Sequence, residues 1–180
     1  MVKGWEVSDK DTPVENTLAL DWYANKFDLA LAEINDHFDK YRLSDALMTT
    51  YKLIWYDFCS WLLEAVKPDY GSPIDKKTYD QVIALFEQNL KILHPFMPFL
   101  TEEIWQQNAT RDSNQALIVS DWPASKDYDQ ALITDFESVK EVISQLRSLR
   151  KSQQIAFKDQ LEVLVYGTMD WNPNLIGLIK

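Results

Sequence analysis

The stretch from Leu43 to Lys67 constrains the possible folds of this chain more than any other. It reads as a single helix, with Ser44 as its N-cap and Pro68 as its stop. Leu47, Tyr51, Ile54, Phe58, Trp61 and Ala65 recur at helical spacing, and Met48, Trp55, Cys59, Leu62 and Val66 form a second stripe beside them. An apolar arc that wide calls for more than one covering neighbour. The helix is therefore expected in the middle of a bundle, with the rest of the chain wrapped around it.

The wrapping is legible in order. Residues 1–11 are polar and read as irregular. Thr12 reads as a helix cap, Pro13 suits the first helical position, and Glu15 can reach back to the cap amide. The helix they open is expected to run to about Asp39, with Leu18, Trp22, Phe27, Leu31, Ile34 and Phe38 on its packed face. The loop at 68–73 leads to a third helix, about Asp75 to His94, whose apolar face is Tyr79, Val82, Ile83, Phe86, Leu90 and Leu93. Pro95 and Pro98 break the regular helix beyond it, yet Phe96, Met97 and Phe99 are apolar, so a buried kink is expected there. Thr101 then reads as the cap of a short helix, with Glu102 and Glu103 in its first turn. Residues 108–127 read as irregular, with a short extended piece at Ala116–Ser120. A further helix is expected from about Asp127 to Gln153, with Leu132, Phe136, Val139, Ile143 and Leu146 inward. Leu161–Tyr166 alternates as a strand does, and Asn172-Pro173 can open another helix. Four glycines in 180 residues fit helices better than a many-stranded sheet with tight turns.

Several functional classes find little support. The formal net charge of −10 argues against a free-standing nucleic-acid binder, though not against one small basic patch. Cys59 is the single cysteine, which excludes an intramolecular disulfide and a cysteine-based metal site. On the apolar arc it reads as a core residue rather than a nucleophile. His37 and His94 stand in no triad or metal spacing, and their expected roles are structural. There is no glycine-rich phosphate loop. No apolar run reaches membrane-spanning length, and the N-terminus has no signal-peptide core. Trp55, Tyr56, Phe58 and Trp61 could stack on bases, but at helical spacing they read as core, with Tyr56 pointing away from both stripes. The Asn108-Ala109-Thr110 sequon reads as chance.

One basic cluster stands out. Arg147, Arg150 and Lys151 lie at i, i+3 and i+4 on one helix face, and Lys158 follows before the next acid, Asp159. Two readings stay open. The cluster can contact phosphates. Equally, it can be favourable charge at a helix C-terminus, with Arg150 also paired to a carboxylate.

Two longer stretches resemble a known family. Residues 54–64, IWYDFCSWLLE, resemble the W-x-x-F-C-D-W-Y-L-E signature of valyl-tRNA synthetases, and residues 93–105, LHPFMPFLTEEIW, resemble that family's LHPFMPF(I/L)TEE(L/I)W. Leu20-Asp21-Trp22 is similar to its A-D-R-W stretch, and the helix with Arg147 and Arg150 to its I-x-x-I-R-x-x-R helix. The resemblance covers most of residues 18–165. The second motif is shared with the isoleucyl and leucyl enzymes, and Phe-Cys-x-Trp points to the valyl one. Ser60 stands where that family usually has Asp, and Leu62 where it has Tyr. Both positions read as packing.

What the resemblance implies is a mainly α fold, the helical bundle of the class I aminoacyl-tRNA synthetase anticodon-binding type, with the start of a small α/β piece at the C-terminus. The expected division is an irregular segment at 1–12, the bundle at 13–154 and the α/β start at 155–180. Such a domain recognises the anticodon stem and loop of tRNA(Val) within a parent enzyme that ligates valine to its tRNA with ATP. The adenylation signatures, the editing domain, the family's helix ahead of this region and its C-terminal coiled-coil arm are not in this sequence. The stretch therefore reads as a non-catalytic fragment with no cofactor of its own, the ATP belonging to the parent's catalytic domain. The expected partners are tRNA(Val) and that catalytic domain, with no membrane, in the cytoplasm. Arg147, Arg150, Lys151 and Lys158 are the candidate tRNA contacts. The alternatives are the same domain of an isoleucyl- or leucyl-type synthetase, or a helical protein-interaction bundle with no RNA role.

Overall fold

The computed structural model describes residues 5–112, 114–156 and 159. The expected strand at Leu161–Tyr166, the helix at Asn172-Pro173 and Lys158 lie outside the described residues. Two compact units make up the chain, residues 1–128 and 129–180, so the expected 13–154 bundle runs across their border. The fold is mainly helical, as the sequence reading expects.

In the first unit, α1 spans Val14–Asp39. A second rod is continuous from Leu43, through α2 (Leu43–Lys52), a π-helical segment (Leu53–Leu62) and α3 (Leu63–Ala65). Next come α4 (Lys76–Leu93) and α5 (Pro98–Asn108). Within the stretch expected to be irregular, Val7–Ser8 (β1) pairs in parallel with Ile74–Asp75 (β2).

The core forms where α1 meets the second rod and α4. Trp22, Tyr23, Leu31 and Ile34 of α1 are fully enclosed. The Tyr23 ring meets Phe58 edge-on at 5.3 Å, and Phe58 stacks with Phe86 of α4 at 6.0 Å. The Tyr23 hydroxyl donates to Asn89 Oδ1 at 2.8 Å, which satisfies a buried phenol at the helix–helix seam. Burial raises the Tyr23 pKa well above its ordinary value, so the phenol stays protonated. A smaller cluster of Leu90, Trp105 and Leu117, flanked by Phe86 and Ile104, holds α5 to α4.

The caps differ from the expected ones. Thr12 does not cap α1; its hydroxyl donates to Asp75 Oδ1 at 2.7 Å. Asp75 is the N-cap of α4 and also accepts the Thr78 amide at 2.8 Å. One carboxylate thus fastens the N-terminal segment to the start of α4. Ser44 is not a cap either, since the helix already begins at Leu43 after Arg42. There α1 ends in a left-handed residue, Tyr41 at φ 57°, and the Arg42 amide donates to His37 O at 2.8 Å, the closing bond of a Schellman turn.

The central rod departs furthest from expectation. Its inward residues are Ala46, Thr50, Leu53, Asp57, Phe58, Leu62 and Val66. Leu43, Leu47, Met48, Tyr51, Trp55, Tyr56 and Cys59 lie on the exposed side. The rod is therefore packed on one side, and neither predicted stripe is the core. Cys59 is exposed, not buried.

At the kink, Pro98 opens α5 instead of interrupting it, a position that suits a residue lacking an amide hydrogen. Thr101 lies inside the first turn, where its hydroxyl donates to Met97 O at 2.9 Å and sits 2.7 Å from His94 Nδ1. The kink is only partly buried. Phe96 stacks on Phe38 at 5.9 Å, whereas Met97, Phe99 and Leu100 are exposed. Residues 117–119 form a 3₁₀ turn rather than an extended piece, because the Leu117 amide donates to Glu102 Oε2 at 2.8 Å and its side chain enters the Leu90–Trp105 cluster. After it, residues 121–126 strap α1 to α4. Trp122 Nε1 donates to Asn35 Oδ1 at 3.0 Å, and Lys91 Nζ to Asp121 O at 3.2 Å.

Candidate nucleic-acid interface

The second unit contains α6, Gln130–Ser152. Asp129 caps it, accepting from the amides of Ala131 and Leu132 at 2.9 and 3.1 Å. Its buried stripe is Ile133, Phe136 and Val139. Leu132, Ile143 and Leu146 are only half-buried, so the inward face is shorter than expected and sits in the first half of the helix. That leaves the second half to the basic cluster.

The cluster divides by role. Arg150 Nη1 donates to Ala156 O at 3.0 Å, and Nη2 to Asp159 O at 2.9 Å. Its own carbonyl accepts the Ile155 amide at 3.0 Å, beside Gln154 at φ 54°. Arg150 thus closes the turn that ends α6, with its cation at the end of the helix where the dipole favours it. It is paired to backbone carbonyls, not to the carboxylate the sequence reading considered. Arg147 and Lys151 are exposed, one turn apart. At that spacing their Cβ atoms are about 5–6 Å apart, close enough to serve one stretch of polyanion. Arg150 therefore positions the end of the helix.

Elsewhere several cations are held by carboxylates. Lys40 and Arg42 pair with Asp36, Lys76 with Asp80, and Lys140 with Glu137. Arg111 was missed in the sequence. Its guanidinium lies 3.7 Å over the Trp105 ring, Nε donates to Trp105 O at 3.0 Å, and Nη2 pairs with Glu87. Asn108, the first residue of the sequon, donates to the same Glu87 carboxylate at 3.0 Å. No local spacing could have revealed this clamp, since Glu87 is 24 residues from Arg111.

His94 braces the α4–α5 turn through Thr101. Among the described residues, no group of three or more His, Cys, Asp or Glu is placed to hold a metal ion. Among them, too, no helix is long and apolar enough to cross a membrane.

Comparison with known proteins bears on the same residues. The family described as the anticodon-binding domain of tRNA ligase matches residues 21–165, which takes in most of the first unit's core and all of α6. A valine–tRNA ligase of Christiangramia forsetii is 49% identical over 100% of this chain and 21% of its own length. One of Phocaeicola vulgatus is 46% identical over 93% of the chain and 19% of its own length. One of Parabacteroides distasonis is 44% identical, with the same two shares. The chain thus spans about a fifth of the length of the curated relatives it matches.

Proposed function

The chain belongs to the anticodon-binding domain family of tRNA ligases, and from that premise we propose that it is the anticodon-binding domain of a valine–tRNA ligase. In this reading it recognises the anticodon stem and loop of tRNA(Val), and a longer parent protein ligates valine to that tRNA with ATP. The ATP site belongs to the parent's catalytic domain, which is the domain's second partner, and the setting is cytoplasmic, where translation takes place. The observation that carries the reading is the family match over residues 21–165 together with valine–tRNA ligase relatives at 44–49% identity.

The domain supplies binding rather than bond-making. Arg147 and Lys151 would contact phosphates, fixing the register of the RNA without reading its sequence. Arg150 would act through them by holding the end of α6. Lys158 stays a candidate contact as well. The net charge of −10 makes such a local cationic face matter more, since the chain as a whole repels a polyanion.

The test is a titration of the longer ligase with labelled tRNA(Val) and with a non-cognate tRNA, across a salt series. Arg147→Gln with Lys151→Gln is expected to weaken binding and to lower the salt slope by about 1.4, roughly 0.7 for each phosphate of the single-stranded loop no longer neutralised. The circular dichroism of the variant is expected to stay unchanged. Equal affinity and slope in the folded variant would remove both residues from the interface. Absence of tRNA binding by the unsubstituted ligase would favour the interaction-bundle alternative.

A further inference from the structure

A cleft between α1, α4 and the 121–126 strap has no role in the reading above. Its volume is about 430 Å³, within the roughly 300–1,000 Å³ of small-molecule sites. α1 lines it with Phe27 and Asp28, α4 with Gln88 and Lys91, and the strap with Trp122 and Lys126. The Trp122 ring is held in place from outside the cleft. Its Nε1 donates to Asn35 Oδ1 at 3.0 Å, and Phe38 meets it edge-on at 5.9 Å. A fixed aromatic ring is a platform for another planar ring. The polar groups are less fully engaged. Asp28 Oδ1 accepts the Lys126 amide at 3.3 Å, and no other hydrogen bond reaches this carboxylate among the described residues. Burial raises the Asp28 pKa above its ordinary value, as expected of a carboxylate in a cleft with too few donors. Lys91 Nζ donates to Asp121 O at 3.2 Å, which uses one of its three protons.

We propose that this cleft binds a guanine nucleotide, with Asp28 accepting from the base and Lys91 and Lys126 serving the phosphate. The mixture of groups selects that ligand. Two lysines disfavour a simple cation, and the carboxylates of Asp28 and Asp121 disfavour a bare anion. The ligand must therefore bring both hydrogen-bond donors and negative charge, and the Trp122 ring calls for a plane. Among the common bases, guanine alone places two N–H donors side by side on its Watson–Crick edge, where one carboxylate can accept both. Adenine, cytosine and uracil set an acceptor beside their donor, and a carboxylate repels it. The Gln88 amide supplies a donor of the kind guanine O6 accepts. A free nucleotide and a guanine in single-stranded RNA share this chemistry. The cleft lies in the first unit and Arg147 and Lys151 in the second, so the proposal stands without the anticodon reading.

The test is calorimetric titration of the 180-residue chain with nucleoside monophosphates. GMP is expected to bind saturably and about tenfold or more tighter than AMP, CMP or UMP, and than IMP, which lacks the 2-amino donor. Asp28→Asn should weaken GMP by about tenfold or more and make xanthosine monophosphate the preferred ligand. The new amide donates to the xanthine O2 while its oxygen still accepts from N1–H. A merely structural role for Asp28 would leave that preference unmoved. Lys91→Gln with Lys126→Gln should weaken GMP and leave guanosine unchanged, which separates phosphate from base. Circular dichroism checks that each variant is folded. A short single-stranded oligoribonucleotide with one guanine separates the two sources. Tighter binding than GMP assigns the cleft to RNA, and weaker binding assigns it to the free nucleotide. No binding of GMP by the folded chain overturns the proposal, as does equal affinity for the four nucleotides. So does full competition by inorganic phosphate, or a folded Asp28→Asn chain with its base preference unchanged.

Discussion

Asp75 and Tyr41 show how much single residues decide here. Burial alone would raise the Asp75 pKa, but the Thr78 amide and the Thr12 hydroxyl, both donating to Oδ1, with the polar side chains of Thr78 and Asn16 close by, outweigh it and hold the carboxyl below its ordinary value. A group with a depressed folded pKa contributes stability above its unfolded value, and that stability is lost as pH falls through the folded one. Asp75 should therefore stabilise the chain at neutral pH, begin to lose that contribution as pH falls past about 4, and lose it fully only below its depressed folded pKa. In thermal melts, Asp75→Ala is expected to cost about 2 kcal/mol at pH 7. Asp75→Asn, which keeps a capping oxygen, should lose less and flatten the acid side of the stability profile. An unchanged profile would deny Asp75 this role. Tyr41 is almost wholly exposed and adopts φ 57°, a conformation that costs a side-chain-bearing residue about 1–2 kcal/mol. Tyr41→Gly is expected to raise stability by about 1 kcal/mol, read as a higher melting temperature. The α1–α2 corner was legible in position but not in chemistry, because an aromatic residue carries no signal for a left-handed turn.

At the scale of elements, the central rod explains both what the sequence revealed and what it hid. Its existence and length follow from its composition, with Pro68 as the stop. Its facing does not. In a regular helix, at about 100° per residue, the inward line through Ala46, Thr50, Leu53 and Asp57 continues to Ser60, Trp61 and Glu64. The π segment instead bonds each amide five residues back and widens the turn, so Phe58, Leu62 and Val66 come inward. The Ser60 hydroxyl repeats that spacing, donating to Trp55 O at 2.9 Å. Periodicity alone could not reveal it, because the apolar residues occupy both sides of the rod. Leu62→Ala is accordingly expected to cost about 3 kcal/mol in chemical denaturation, and Leu47→Ala under about 0.5 kcal/mol. Equal costs would mean that the rod keeps a regular helical register. The family motif containing these residues marks packing at Phe58 and Leu62 and open surface at Trp55 and Cys59. The second motif divides likewise, with Phe96 packed on Phe38 and Phe99 in solvent.

For the whole molecule, the mainly helical fold and the family follow from helix periodicity, scarce glycine and two motifs, because local pattern governs each of them. The candidate interface was legible only as a spacing of cations on one helix. Which of those cations is spent on structure depends on carbonyls at Ala156 and Asp159, beyond the end of the helix, and on a turn that no motif announces. The Arg111 clamp depends on a partner 24 residues away and was not legible at all. The molecule that results carries exposed cations at the end of α6 against an acidic total charge. On the proposed function, it reads the anticodon arm of tRNA(Val). The direct measurement is competition against labelled tRNA(Val) bound to the longer ligase, using isolated anticodon stem-loops. The valine stem-loop should compete, and the same stem-loop with its anticodon replaced should compete at least tenfold less well. Equal competition by the two, or none by either, would contradict the claim.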